Sequence, residues 1–236
     1  MVRFAVYRSR FLGIYYELVR PLCVFDLDHT LVRSTLDLRA ARADVRALAS
    51  ARSLDLPAVS LRWTIAETIA GIARLAPELE ATCWAVIIDH ETRALDSAAS
   101  EPGAVEALTG LRAAGFPLAV WTNNARGAAE HALARCGLRA FFATIVTRDE
   151  AALKPDPAGL ALLRQAFPER PVWVVGDSWV DGAAAQAGGA SFIAYGTDPE
   201  ELVRRRVAAR HVIHDLSTLP GWLLSESDEP EDMPGF

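Results

Sequence analysis

The sequence predicts an α/β protein: a Rossmann-like parallel sheet covered by helices on both faces, with a small helical cap inserted after the first core strand. Three observations predict it. Short apolar runs recur along the chain and end on polar residues, as buried parallel strands do. Helix-patterned stretches of about 10–14 residues lie between them. The block 36–98 breaks that alternation and reads as helix throughout.

Residues 1–20 form an N-terminal extension. Phe4, Tyr7, Phe11, Ile14 and Leu18 recur at helical spacing among Arg3, Arg8, Arg10 and Arg20. That pattern fits an amphipathic helix docked on the body, and its basic bias also suits a membrane surface. The core is expected over 21–35 and 99–224. Its strands are Leu22–Phe25, Leu118–Trp121, Phe142–Val146, Val172–Val175, Phe192–Tyr195 and, more weakly, His211–Ile213. Helices are expected at 103–114, 124–136, 157–167 and 180–188, and Gly115 and Gly137 stand where C-caps belong. The cap, 36–98, divides into helices near 37–52, 58–75 and 78–97, with hinges at Arg33–Thr35 and Ser97–Pro102. Pro57 and Pro77 lie near the second and third starts. Residues 225–236 hold five acids and two prolines and read as an acidic, disordered tail.

Composition narrows the function classes. The chain has 236 residues, 51% apolar and 23% charged, which suits a core domain with a smaller insert. A net charge of -6 argues against general nucleic-acid binding, and no apolar run is long enough to span a bilayer. Cys23, Cys83 and Cys136 are scattered, giving neither a disulfide framework nor a zinc site, so a cytoplasmic location is expected. Lys154 is the only lysine in the chain. In so arginine-biased a sequence the exception matters, because a compact ammonium and a guanidinium fork are not interchangeable.

Ligands of open parallel sheets bind outside the carboxyl ends of the strands. Those ends carry Asp26-Leu27-Asp28-His29-Thr30, then Thr122-Asn123-Asn124, then Lys154-Pro155-Asp156-Pro157 in a loop, then Gly176-Asp177-Ser178 with Asp181 four residues after Asp177. Taken singly, each is an ordinary turn or capping residue. Together they place carboxylates, a hydroxyl, an amide and the one lysine on a single edge.

In order and spacing these four motifs, spread over about 21–215, resemble the haloacid dehalogenase superfamily, in its phosphatase branch with an inserted helical cap. Relatives of that shape include phosphoglycolate phosphatases, sugar-phosphate phosphatases, nucleotidases and β-phosphoglucomutases. The resemblance implies a Mg²⁺-dependent phosphatase acting on a small phosphorylated metabolite. A mutase would keep every core residue, and a catalytically silent binding protein should lack at least one; none is missing. Asp26 supplies a carboxylate of the type that forms an aspartyl-phosphate. Asp28, two residues on, can serve the leaving oxygen as acid and then water as base. By similarity, Asp26, the backbone carbonyl of Asp28 and Asp177 are the Mg²⁺ ligands, with Asp181 behind them or coordinating directly. Thr122 and the backbone of Asn123 are expected to bind the phosphoryl oxygens, and Lys154 to neutralise them. His29 stands where many relatives carry glycine. In the cap, Arg62, Trp63, Glu67, His90 and Arg93 are residues a substrate could meet, and Arg204-Arg205-Arg206 reads as a solvated helix face.

Overall fold

The computed structural model describes residues 6–8, 15–17, 19–57, 63–95 and 97–228. In chain order the strands are β1 (Val6–Arg8), β2 (Tyr15–Glu17), β3 (Leu22–Phe25), β4 (Val32–Arg33), β5 (Ala99–Ser100), β6 (Leu118–Trp121), β7 (Thr144–Val146), β8 (Val172–Gly176), β9 (Ser191–Tyr195) and β10 (His211–Ile213). The helices are α1 (Leu38–Ala51), α2 (Ile65–Leu75), α3 (Glu80–Leu95), α4 (Ala104–Ala113), α5 (Arg126–Arg135), α6 (Ala158–Ala166), α7 (Trp179–Ala187), α8 (Pro199–Arg205) and α9 (Leu219–Asp228).

Six strands form one parallel sheet in the order β10-β9-β8-β3-β6-β7. The chain builds outward from β3 to β7, then returns to β8 on the other side of β3. The order therefore reverses between β3 and β8, and this switch point opens a crevice at their carboxyl ends.

Alternation along β3 divides the core. Cys23 and Phe25 join a cluster roofed by α4, α5 and α9, while Leu22 and Val24 join one roofed by α6, α7 and α8. All four are fully buried, as a strand covered on both faces requires. The cap has its own core, in which Ala41, Val45 and Ala49 of α1 meet Ile69 and Ile72 of α2 and Cys83 and Ile87 of α3. Its two connections to the body are joined by a short antiparallel ladder, Val32 opposite Ser100 and Arg33 opposite Ala99.

Several expectations shift. In the N-terminal extension, Val6–Arg8 and Tyr15–Glu17 pair as antiparallel strands rather than continuing a helix. Val6, Tyr7, Tyr15 and Tyr16 are residue types that favour extended backbone. The remainder of 1–18 lies outside the described residues. The second cap helix begins at Ile65 rather than 58, because Thr64 and Glu67 form a reciprocal capping box that fixes its start. β7 starts two residues later than the apolar run, after a 3₁₀ turn at Arg139–Phe141. α9 continues to Asp228, into the stretch read as tail, with Arg210 paired to Glu226; residues 229–236 lie outside the described residues. Among the described residues, no helix is long and apolar enough to cross a membrane.

The fit between β6 and α6 depends on one absent side chain. The Trp121 indole lies so close to Gly159 that a Cβ there would sit 2.1 Å from Nε1, and Trp121 is only 2% exposed. Gly159→Ala should therefore destabilise the core by about 1–3 kcal/mol through overpacking. A thermal melt lowered by several degrees is expected, and an unchanged one would show that Trp121 repacks freely.

Candidate active site

β3 ends directly on Asp26, whose backbone N–H donates to Val175 O of β8 at 2.9 Å, fixing the residue at the switch point. The side chain is 9% exposed. Lys154, from the loop after β7, reaches across the sheet edge to meet it. Its Nζ donates to Asp26 Oδ1 at 2.6 Å, Asp181 Oδ1 at 2.5 Å and Trp121 O at 2.9 Å. All three ammonium protons thus have acceptors, which a buried cation requires.

α7 brings the third component. Asp181 lies in the first turn of that helix and folds back toward β8, where Ser178 donates to its Oδ2 through both N–H (3.2 Å) and Oγ (2.6 Å). This return needs space at Gly176, where a Cβ would stand 2.6 Å from both Cβ and Cγ of Asp181. A glycine at the end of β8 is thus a packing requirement. Asp177 faces Thr30, whose Oγ1 donates to Asp177 Oδ1 at 3.4 Å.

Carboxylate oxygens of Asp26, Asp177 and Asp181 lie within 4.8 Å of one another. Three hard oxygen donors at this spacing fit Mg²⁺, which also retains waters. Asp181 has both oxygens engaged by Lys154 and Ser178, whereas Asp26 and Asp177 are less committed. The electrostatics match that crowding. Burial, then the adjacent Asp181 and Asp177 charges, push the Asp26 carboxyl well above the usual range against the pull of Lys154. Burial and Asp181 push Asp177 up to about 6, with His29 opposing. Burial disfavours the Lys154 ammonium, but Asp181 and Asp26 outweigh it and hold the group above the ordinary lysine value.

Asp28 is kept out of this cluster. Asn124 Nδ2 donates to its Oδ2 at 2.5 Å and Ser34 Oγ donates to its Oδ1 at 3.0 Å. The carboxyl is therefore tethered from β6's loop on one side and from the cap hinge on the other. Thr122 is 2% exposed, with Oγ1 accepting the Asn124 N–H. Asn123 and Lys154 clamp each other's loops: Asn123 Nδ2 donates to Lys154 O at 3.1 Å, and Lys154 N–H donates to Asn123 Oδ1 at 2.8 Å. His29 is exposed with φ +57, a left-handed conformation that explains why glycine suits this position.

The structure brings Asp26, Asp28, Thr122, Asn123, Lys154, Asp177 and Asp181 to one sheet edge. The cap candidates mostly have local partners. Glu67 caps α2, His90 bonds Asp44 at 2.7 Å, Arg93 pairs with Asp89, and Trp63 covers Gly71. Arg62 lies outside the described residues. Arg204 and Arg205 pair with Glu201 on the surface of α8. Sequence reasoning did not single out Asn124, Ser34 or Thr30, although Asn124 and Thr30 stand within the motifs.

A family model described as haloacid dehalogenase-like hydrolase matches residues 21–189. The chain belongs to that family. Among curated proteins, it is 34% identical to a phosphoglycolate phosphatase of Cereibacter sphaeroides over 184 residues, covering 73% of this chain and 83% of the relative. A phosphoglycolate phosphatase of Rhodobacter capsulatus is 27% identical over 212 residues, covering 85% and 95%. Among solved structures, a hydrolase from Pseudomonas syringae superposes with a TM-score of 0.66 at 22% identity, covering 87% of this chain and 99% of that one. A haloacid dehalogenase family hydrolase from Deinococcus radiodurans, solved with bound phosphate and sodium, gives 0.59 at 25% identity, covering 89% and 97%. The chain is accordingly a hydrolase of this family, with its acidic cluster assembled at the switch point.

The raised Asp177 carboxyl has a consequence for the metal-free protein. Its folded pKa of about 6 exceeds the reference 3.8, so between about pH 3.8 and 6 the folded state holds a proton that the unfolded chain has released. That contribution is fully present below about pH 3.8 and is lost progressively as pH rises to and through about 6. In EDTA, the melting temperature of wild type relative to Asp177→Asn should fall by a few degrees between pH 5 and pH 7. A pH-independent difference would contradict the burial of this carboxyl.

Proposed function

We propose that the chain is a Mg²⁺-dependent phosphatase that hydrolyses a small phosphomonoester metabolite through an aspartyl-phosphate on Asp26. The observation that carries this reading is the Lys154 ammonium bridging Asp26 and Asp181 beside Asp177, with Asp28 held apart by Asn124 and Ser34. A nucleophile, a cation for transferring charge and a separate proton carrier are the parts phosphoryl transfer needs.

On this reading an Asp26 oxygen attacks phosphorus while the ester oxygen departs and takes a proton from Asp28. Asp28, now a carboxylate, removes a proton from water as that water attacks phosphorus. The bond to Asp26 breaks, inorganic phosphate leaves and Asp28 is again protonated. Thr122 Oγ1 and the backbone of Asn123 hold phosphoryl oxygens, and Lys154 offsets their charge. Asp26, the Asp28 carbonyl and Asp177, with Asp181 adjoining, would hold Mg²⁺, which when bound would supply further charge neutralisation. Residues 21–35 and 99–224 act as the catalytic core, and the cap 36–98 closes over the substrate and excludes bulk water. The relatives' names make 2-phosphoglycolate the first substrate to test, and the three thiols, with no disulfide among them, suit a cytoplasmic location.

The test is phosphate release from 2-phosphoglycolate, sugar phosphates, nucleoside monophosphates and p-nitrophenyl phosphate, with Mg²⁺ and with EDTA. Release should need Mg²⁺ and fall ~10³-fold or more in Asp26→Asn, which keeps its fold. Near-normal turnover in that variant would remove Asp26 as nucleophile. An isomerised sugar phosphate without free phosphate would point to a mutase instead.

A further inference from the structure

Apart from the acidic cluster, which lies wholly in the core, a buried ion pair among the described residues joins the cap to the core. Glu91, in the last turns of α3, is 5% exposed, and the Arg148 side chain, in the loop after β7, is 8% exposed. The two meet as a fork on a carboxylate: Nη1 donates to Oε1 at 2.5 Å and Nη2 to Oε2 at 2.9 Å. The guanidinium also lies over the ring of Trp84, 5.1 Å from its centroid. Trp84 and Glu91 are seven residues apart and share one face of α3. That face is thus shaped to receive an arginine from the core.

Arg148 grips more than the cap. Its Nη1 donates to Asn123 O at 3.1 Å, and its backbone N–H donates to Asn124 O at 3.2 Å. Two consecutive carbonyls of the loop after β6 therefore end on one residue. The next residue, Ala125, turns its N–H toward Glu91. Beside it, Asp149 Oδ2 accepts the Arg126 N–H at 2.8 Å, completing the start of α5. The segment that holds Thr122, Asn123 and Asn124 is thereby fastened to a side chain whose own orientation is set by the cap.

We propose that Arg148, oriented by Glu91, is a positioning residue that makes the geometry of the 122–125 loop depend on the cap being seated. The kinetic part of this inference rests on the phosphatase reading; the structural part does not. An arginine is suited to the task because its planar fork can bond a carboxylate and a backbone carbonyl at once, which an ammonium would do less rigidly. With the cap lifted, Glu91 leaves, the guanidinium loses its bidentate partner, and its hold on Asn123 O loosens. The seated cap then orders the phosphoryl site as well as covering it.

The test uses the full chain, with Glu91→Gln, Arg148→Met and the double variant. Removing one partner leaves a buried charge unpaired, so Arg148→Met alone could fail to fold, whereas the double variant removes both charges. Amide hydrogen exchange is measured on peptides spanning 122–125 in the metal-loaded protein. Glu91→Gln and the double variant should exchange there ~5-fold faster or more, although the substituted residue on the cap is 32 positions away from Asn123 in sequence. With p-nitrophenyl phosphate and Mg²⁺, kcat should fall ~10-fold while KM changes less. The double variant should lose no more than about twice what the Glu91→Gln single loses, since both act through one contact. A lower melting temperature with wild-type kcat and wild-type exchange at 122–125 would overturn the proposal and leave the pair a structural contact. If wild type releases no phosphate from any ester, the phosphatase reading fails, and the exchange comparison still decides whether the cap controls this loop.

Discussion

Three carboxylates with oxygens within 4.8 Å of one another repel, and the charge that the fold sets against this repulsion is the buried Lys154 ammonium. Its position explains much of the architecture. Asp26 comes from β3, Asp181 from the helix after β8 and Lys154 from the loop after β7, three segments that meet only where the strand order reverses. A guanidinium would place its charge farther out and spread it over a plane, whereas an ammonium meets Asp26, Asp181 and Trp121 O from one point. A buried charge pair of this kind contributes little net stability by itself, because desolvation consumes most of the Coulomb gain. What it fixes is placement. With Lys154 satisfied in three directions, the two carboxylates it touches have one orientation each.

Around this centre, short contacts decide which group is free for chemistry. Gly176 leaves room for Asp181 to fold back, and Ser178 fills the second Asp181 oxygen. Asn123 locks the Lys154 backbone to the loop after β6 through two hydrogen bonds, so the lysine and the Thr122 segment move as one body. Asp28 is drawn the other way by Asn124 and Ser34. Two carboxyls only two residues apart therefore occupy different surroundings, one beside an ammonium and two acids, the other held by neutral hydrogen-bond donors with the Glu91 carboxylate in range. Separation of this sort lets neighbouring acids take different roles.

The parallel strands were legible because a strand buried on both faces must be apolar, and the motifs because each stands where a strand ends. Gly115 and Gly137 marked helix ends, and both have positive φ. Other features depend on partners distant in sequence. β4 and β5 are two residues each, exist only as a ladder between the two hinges, and carry no periodicity of their own. α9 contains Pro220 and Gly221 and was not read as helix, yet Leu219 and Leu223 are fully buried and Pro220 packs on Gly110. The start of α2 turned on a capping box at Thr64 and Glu67 that outweighed Pro57 as a signal. Glu91 and Arg148 were invisible for a plainer reason. A chain with 24 basic and 30 acidic residues offers many pairs, and only the docking of α3 on the core selects this one.

That selection also bears on how the cap is held. At the hinge, Arg33 pairs with Glu101, Tyr195 Oη donates to Glu101 at 2.8 Å, and Thr35 Oγ1 lies 3.0 Å from Ser97 Oγ. The Arg33 side chain is 59% exposed, so this pair is screened and contributes little. The Glu91–Arg148 pair, about one turn before the end of α3, is by contrast shut away from water. An outward swing of the cap about the β4–β5 ladder would separate Glu91 from Arg148 and Trp84 from the guanidinium. Water entering such a gap would rehydrate both charges and offset much of the lost attraction. α3 also packs along α5, so the ion pair is the charged part of a wider cap–core contact, at the edge that borders the 122–125 loop. The link from this contact to the Lys154 centre runs through Asn123, whose carbonyl accepts from Arg148 and whose side chain clamps the Lys154 backbone, so the seating of the cap and the placement of the lysine share one residue.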